Sequence, residues 1–79
     1  MTMNYVKELK RAIAVRTDRV NHLEKMIDDI HDRYKSMTPE QLNEAVRDIA
    51  GMRRELEDHR KFCEKAKREV AAFFAPVVA

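Results

Sequence analysis

The sequence is poor in residues that constrain small folds through covalent links or special backbone geometry. It has 79 residues, with one cysteine (Cys63), one glycine, two prolines and no tryptophan. A single thiol excludes an internal disulfide and fits a reducing compartment such as the cytoplasm. Scarce glycine and proline leave few turns and favour long helices over a sheet. A chain this short then needs other stabilisation, and oligomerisation is the most direct source.

The sequence also lacks strong charge of one sign and long apolar runs. Charged residues make up 38% of the chain, yet the net charge is only +2. No run approaches the roughly 20 apolar residues of a membrane-spanning helix. The first residues lead directly into charged ones, without the apolar core of a secretory signal. We therefore expect a soluble, cytoplasmic protein with no membrane partner.

What the chain does contain is two regular seams of apolar residues, spaced alternately by three and four. The first seam is Val6, Leu9, Ile13, Arg16, Val20, Leu23, Ile27, Ile30, Tyr34 and Met37. The second is Leu42, Ala45, Ile49, Met52, Leu56, His59, Cys63, Ala66, Val70 and Phe73. Only Arg16 and His59 interrupt the pattern. Heptad spacing of this kind predicts helices that pack side by side at a shallow left-handed angle.

Between the seams lies a strong signal for a turn. Thr38 is a good N-cap, Pro39 suits the first helical position, and Gln41 completes a capping box with Thr38. Gly51 falls inside the second helix, where it marks either a close backbone approach or a slight bend. A short connection of this kind makes the two helices antiparallel neighbours.

The predicted architecture is a single all-α domain, a long antiparallel two-helix hairpin resembling a coiled coil. The first helix is expected over about 3–35, the turn at 36–38, and the second helix over about 39–74. An apolar tail at 75–79 follows, because Pro76 stops the helix.

The apolar stripe is wider than two helices need. Ala12 and Met26 lie beside the first seam, and Val46, Phe62 and Phe74 lie beside the second. This width predicts a four-helix bundle or a higher helical oligomer. A second copy of the chain would supply the missing helices, and another protein would serve equally well.

Folding the hairpin at its turn places the two polar interruptions, Arg16 and His59, in one layer, with Arg16 level with Cys63. One interpretation is a polar layer that sets register and oligomeric state. The other is an anion or nucleotide site, with Arg16 as a forked donor and His59 and Tyr5 nearby. His59 and Cys63 stand four residues apart, which is half of a metal site at most. We expect no metal and no other cofactor.

Basic residues concentrate at the open end of the hairpin. Segments 1–19 and 57–79 together hold ten basic and six acidic residues, a net of +4. The candidate partner-binding residues there are Lys7, Lys10, Arg11, Arg19, Arg60, Lys61, Lys65, Lys67 and Arg68, with the aromatic pair Phe73 and Phe74. Such a cluster suits phosphate or an acidic protein surface, although acidic residues are interleaved with it.

No phosphate-binding loop or nucleophile–base–acid set is recognisable, so a non-enzymatic role is expected. The leading hypothesis is a small interaction or inhibitor protein that binds and occludes a macromolecular partner. In size it is similar to small phage-encoded inhibitors, and in shape and heptad pattern it resembles the plasmid Rop hairpins, which dimerise and bind RNA. The alternatives are an oligomer that binds a small anion such as a nucleotide, and a Rop-like RNA- or DNA-binding dimer.

Overall fold

Two antiparallel helices and a short connection make up the fold in the computed structural model, which describes residues 2–75. Helix α1 spans Met3–Asp32 and helix α2 spans Pro39–Phe74. A 3-10 turn at Tyr34–Ser36 joins them, and the described residues contain no strand. The predicted all-α hairpin is confirmed. Of the predicted apolar tail, residues 76–79 lie outside the described residues.

Helix α1 is capped at its start and tightened at its end. The Thr2 side chain accepts a hydrogen bond from the Tyr5 backbone N–H at 3.3 Å. The helix ends at Asp32, earlier than the expected limit near residue 35. The reason is that the Arg33 N–H bonds to Ile30 O at 3.1 Å, which replaces α-helical by 3-10 geometry. The 3-10 turn redirects the backbone away from the axis of α1 before α2 begins at Pro39.

Helix α2 begins with the predicted capping box. The Gln41 backbone N–H donates to Thr38 Oγ1 at 3.2 Å, and the Thr38 N–H donates to Gln41 Oε1 at 3.0 Å. Pro39 stands at the first helical position, where a missing N–H removes no helical hydrogen bond. These contacts satisfy the first free donors of α2 and fix where the second seam starts.

The core is a single line of contact between the two seams. Its centre is formed by Leu23 and Ile27 of α1 with Ile49 and Leu56 of α2. The partly buried residues around them are Val20, Ile30, Tyr34 and Met52. Every predicted seam position is buried or half-buried.

The hairpin is a flat rod of 63 × 21 × 15 Å. Among the described residues only eight are buried, all of them in the seams, and the other twelve seam positions remain half-buried. The outward positions of both helices are mostly charged or polar. Within residues 2–75, neither helix is apolar over a length that would cross a membrane. One pair of helices thus leaves the edges of its own apolar stripe open.

Gly51 offers a test of the isolated hairpin. An added Cβ there would meet nothing within 4 Å, so the expected close approach is absent within the chain. Gly51→Ala should raise the free energy of unfolding by about 1 kcal/mol through helix propensity alone. Urea denaturation followed by circular dichroism measures the change. As a control, Ala50→Gly at the exposed neighbouring position should lower stability by a similar amount. A loss of stability in Gly51→Ala would mean that a second chain approaches this backbone.

Candidate functional site

The rod has two broad faces, one on either side of the seam. We call them the Arg16 face and the Cys63 face, after a residue that borders each. Edge residues of the Arg16 face recur every seven positions: Tyr5, Ala12, Arg19, Met26 and Arg33 on the α1 side, and Gln41, Asp48, Glu55, Phe62 and Glu69 on the α2 side. Those of the Cys63 face are Met3, Lys10, Thr17, Glu24 and His31, and Val46, Arg53, Arg60, Lys67 and Phe74.

The two polar interruptions of the seams meet directly. Arg16 Nη1 lies 3.3 Å from His59 Nδ1, and both residues are half-buried. On the other side of the ring, His59 Nε2 lies 3.3 Å from Glu55 Oε1. Arg19 donates two hydrogen bonds to the same carboxylate, from Nε at 2.9 Å and from Nη2 at 3.3 Å. A continuous polar chain, Arg16–His59–Glu55–Arg19, therefore crosses from α1 to α2 and back.

This chain of hydrogen bonds selects one form of His59. A guanidinium only donates, so Nδ1 must accept from Arg16 and carry no proton. The ring proton then sits on Nε2, where it donates to Glu55. This tautomer lets both ring nitrogens bond to their neighbours.

Arg16 also packs against an aromatic ring. Its guanidinium carbon lies 4.0 Å from the centroid of the half-buried Phe62 ring, within cation–π range. Phe62 stands beside the seam on the Arg16 face. Arg16 thus covers an apolar ring while donating to His59, which explains how a charged residue fits in a heptad seam.

The electrostatics of the network favour an ionised Glu55. Hydrogen bonds from Arg19, and secondarily from His59, hold the pKa of Glu55 below its usual 4.5. The same pairing raises the pKa of Arg19 further, so Arg19 stays charged. At the open end, Tyr5 donates to Glu69 at 3.1 Å, and this bond raises the pKa of the phenol above its usual 10.0.

Cys63 lies on the other side of the seam from this network. Its sulfur is 3.8 Å from the carbonyl oxygen of Ile13, and it lines an open groove of about 370 Å³ with Thr17, Val20 and Arg60. Arg16 pairs with His59 and not with Cys63, because their side chains leave the seam on different faces. Within residues 2–75, no group of three or more His, Cys, Asp or Glu side chains is placed to hold a metal ion.

The candidate basic residues do not gather on one surface. Arg19 pairs with Glu55 on the Arg16 face, whereas Arg60 pairs with Glu24 on the Cys63 face. Lys61 and Arg68 pair along α2 with Glu57 and Glu64, at 3.1 and 3.0 Å. Lys65 lines a groove of the Arg16 face and Lys67 one of the Cys63 face, while Lys7 and Arg11 are exposed. The excess positive charge of the open end is therefore spread around the rod.

The aromatic residues near the open end form a small exposed cluster. Phe73 is half-buried, and Phe74 is 54% exposed and packs edge to face against it, with centroids 5.0 Å apart. Lys10 Nζ lies 5.3 Å from the Phe74 centroid. This cluster presents apolar surface at the end of the Cys63 face.

Two acidic residues of the site, Glu55 and Glu69, were not among the residues predicted from sequence. Glu55 precedes His59 by one helical turn, and that spacing puts both side chains on the same side of α2. Glu69 becomes a partner of Tyr5 only through the pairing of the two helices. The first was therefore detectable from local spacing, whereas the second required the hairpin register.

Replacing Arg16 separates its packing role from its polar role. Arg16→Leu keeps apolar contact with Phe62, and His59 Nδ1 can bond to water, so stability should change by less than about 1 kcal/mol. Arg16→Ala loses both contacts and should cost about 1–2 kcal/mol. Chemical denaturation measures both values. A register role further predicts an altered molar mass for Arg16→Leu, whereas an anion site predicts lost ligand binding on an intact fold.

The Glu55 contacts predict an acid-sensitive contribution to folding. Because the pKa of Glu55 is lowered in the folded chain, the carboxylate pairing stabilises the fold above about pH 4.5 and is lost as pH falls through the lowered value. Arg19→Gln should raise the pKa of Glu55 towards its usual value, as measured by a carbon-13 NMR titration of the side-chain carboxyl. Arg11→Gln removes the same charge elsewhere on α1 and should leave that titration unchanged. Equal titrations in the two variants would contradict the pairing.

The two faces thus differ in character. The Arg16 face carries a bonded polar network with an aromatic ring beside it, and the Cys63 face carries an open groove with exposed apolar residues towards its ends.

Comparison of the chain with protein-family models, with curated proteins and with solved structures finds no match.

Proposed function

We propose that this chain is a non-enzymatic interaction protein that assembles with itself and binds and occludes a macromolecular partner. One observation carries the proposal: twelve of the twenty seam positions are only half-buried, and the other eight are the only buried residues among those described. Burying apolar surface of this kind against another apolar surface is favourable by about 25 cal/mol per Å². The activity lies in association.

The dimensions of the rod support a stable association. One broad side measures 63 × 21 Å. A partner that covers most of it would bury on the order of 1,000 Å² from this chain, above the roughly 800 Å² per partner of a standard stable interface. Long parallel seams also match the way in which helical segments recognise grooves between helices. A bound chain would shield the whole length of the rod from competing contacts, which is how occlusion would arise.

Contacts on the Arg16 face weigh against a small-anion site centred on Arg16. Its guanidinium already stacks on Phe62 and donates to His59. The separation of the basic residues onto different faces likewise weighs against a Rop-like nucleic-acid surface, which needs an array of cations along one side. Binding through apolar surface requires neither the release of Arg16 from these contacts nor a gathering of the basic residues on one face.

A photo-crosslinker placed in the chain tests the proposed function in the native cell. Benzoylphenylalanine is introduced at Phe62 or at Phe74, one on each face, and at Val15, which is 68% exposed on the outer side of α1. Adducts are expected from positions 62 and 74 but not from 15, and they should include both a second copy and one different protein. Adducts confined to copies of this chain would refute the occluded partner. Equal labelling from all three positions would refute a specific surface.

A further inference from the structure

The Arg16 face is complementary to itself in charge. Its α1 edge carries Arg19 and Arg33 and no acidic residue, whereas its α2 edge carries Asp48, Glu55 and Glu69 and no basic residue. The two edges of one face therefore have opposite signs. Two copies bring these edges of opposite sign together when the basic edge of each lies along the acidic edge of the other.

The middle of this face is also more apolar than the middle of the Cys63 face. Ala12, Met26 and Phe62 occupy edge positions there and are half-buried, so part of each apolar side chain remains exposed on this face.

On the Cys63 face the central edge positions are exposed and polar or charged: Thr17, Glu24, Arg53, Arg60 and Lys67. Exposed apolar edge residues stand only towards its ends, as Met3, Val46 and Phe74. The centre of a protein interface is usually richer in apolar contact than its rim, and the Arg16 face has half-buried apolar residues on both sides of its central Arg19–Glu55 pair, whereas the centre of the Cys63 face has none.

We propose that a second copy of this chain covers the Arg16 face, with α1 of each copy along α2 of the other and both turns at the same end. The proposal rests on the self-assembly part of the proposed function and names the face and orientation. The two-fold axis then runs parallel to the rod. The Cys63 face, with its groove and its exposed aromatic end, stays open in the dimer.

The contacts within one chain fix what would meet across this interface. Arg19 bonds to Glu55 and Tyr5 bonds to Glu69, so the members of each pair stand at the same height along the rod. A two-fold axis along the rod preserves height, which puts Arg19 of one copy beside Glu55 of the other.

Residues one heptad away follow the same rule. Ala12 precedes Arg19 by seven positions and Phe62 follows Glu55 by seven, so Ala12 of one copy faces Phe62 of the other. A small residue opposite a large one is the pairing that lets two helices approach closely.

The other symmetric arrangement places the turns at opposite ends and fails on charge. Its two-fold axis is perpendicular to the rod, so α1 lies on α1 and α2 lies on α2. The edge with Arg19 and Arg33 then faces the same edge of the other copy, and the acidic edge likewise faces an acidic edge. Like charges directly opposite each other destabilise an interface.

The face is tested by a pair of matched charge variants measured by sedimentation velocity over a concentration series. Phe62→Glu puts a carboxylate into the centre of the Arg16 face and should raise the dimer dissociation constant at least about tenfold. Val46→Glu adds the same charge to the same helix on the Cys63 face, where Val46 is 57% exposed, and should leave that constant unchanged. Circular dichroism is the control, and both variants should remain helical. If Val46→Glu dissociates the dimer and Phe62→Glu does not, the assignment of the face is overturned.

The orientation is tested by one spin label at the turn. Ser36→Cys in a Cys63→Ala background carries a single nitroxide per chain, and double electron–electron resonance measures the distance between the two copies. Turns at the same end predict about 20–30 Å, from interaxial spacings of about 10 Å plus label length. Turns at opposite ends predict a distance approaching the 63 Å length of the rod, which would overturn the orientation.

The two levels of the proposal fail differently. Wild-type protein with a mass of 9.3 kDa at every concentration would refute self-assembly, and the inference with it. A wild-type dimer that resists Phe62→Glu, or that shows the long spin-label distance, would refute the inference and leave self-assembly standing.

Discussion

A single line of contact between two helices holds the described chain together. Each helix can turn only one narrow stripe towards its neighbour, so residues at the edge of that stripe are covered from one side alone. Leu23, at the centre of the seam, is 1% exposed, whereas the nearby apolar residues Val20 and Met26 stay half-buried. Other properties of the hairpin follow from this geometry: its flat shape, its narrow core and the half-buried residues along its edges.

The same incomplete burial explains the polar network. A guanidinium enclosed in a dry core would cost several kcal/mol unless it were fully paired. Arg16 avoids that cost because it lies at the edge of the seam, where it can stack on Phe62, bond to His59 and still reach solvent. Covering the Arg16 face would remove that solvent, and the carboxylate of Glu55 is then the negative charge available to balance the two arginines. The network is therefore tolerated in one chain, and in the proposed dimer it would favour a covering surface that supplies matching charge.

Sequence reasoning predicted the parts of the structure that depend on local rules. The heptad seams, the start of α2 at Pro39 and the capping box between Thr38 and Gln41 all follow from spacings within a few residues. The meeting of Arg16 with His59 was also accessible, because the register of a hairpin follows from its turn. The side on which each side chain leaves the seam was not: Cys63 points away from Arg16, and Tyr5 finds Glu69 only once two helices pair. The basic residues looked like one cluster along the chain, but helical rotation distributes them around the rod.

The tight connection at Tyr34–Ser36 also orders the contacts along the rod by the length of chain that each must close. Across the middle, Arg19 meets Glu55 after 36 residues, and at the far end Tyr5 meets Glu69 only after 64. Loop-closure entropy grows with that separation, and contacts nearer the turn shorten the loops that remain to be closed. The contacts of the hairpin can therefore form in sequence, beginning at the capped turn and ending at the open end. On this order the end that carries Tyr5 and the exposed Phe73–Phe74 cluster is the last part of the rod to pack.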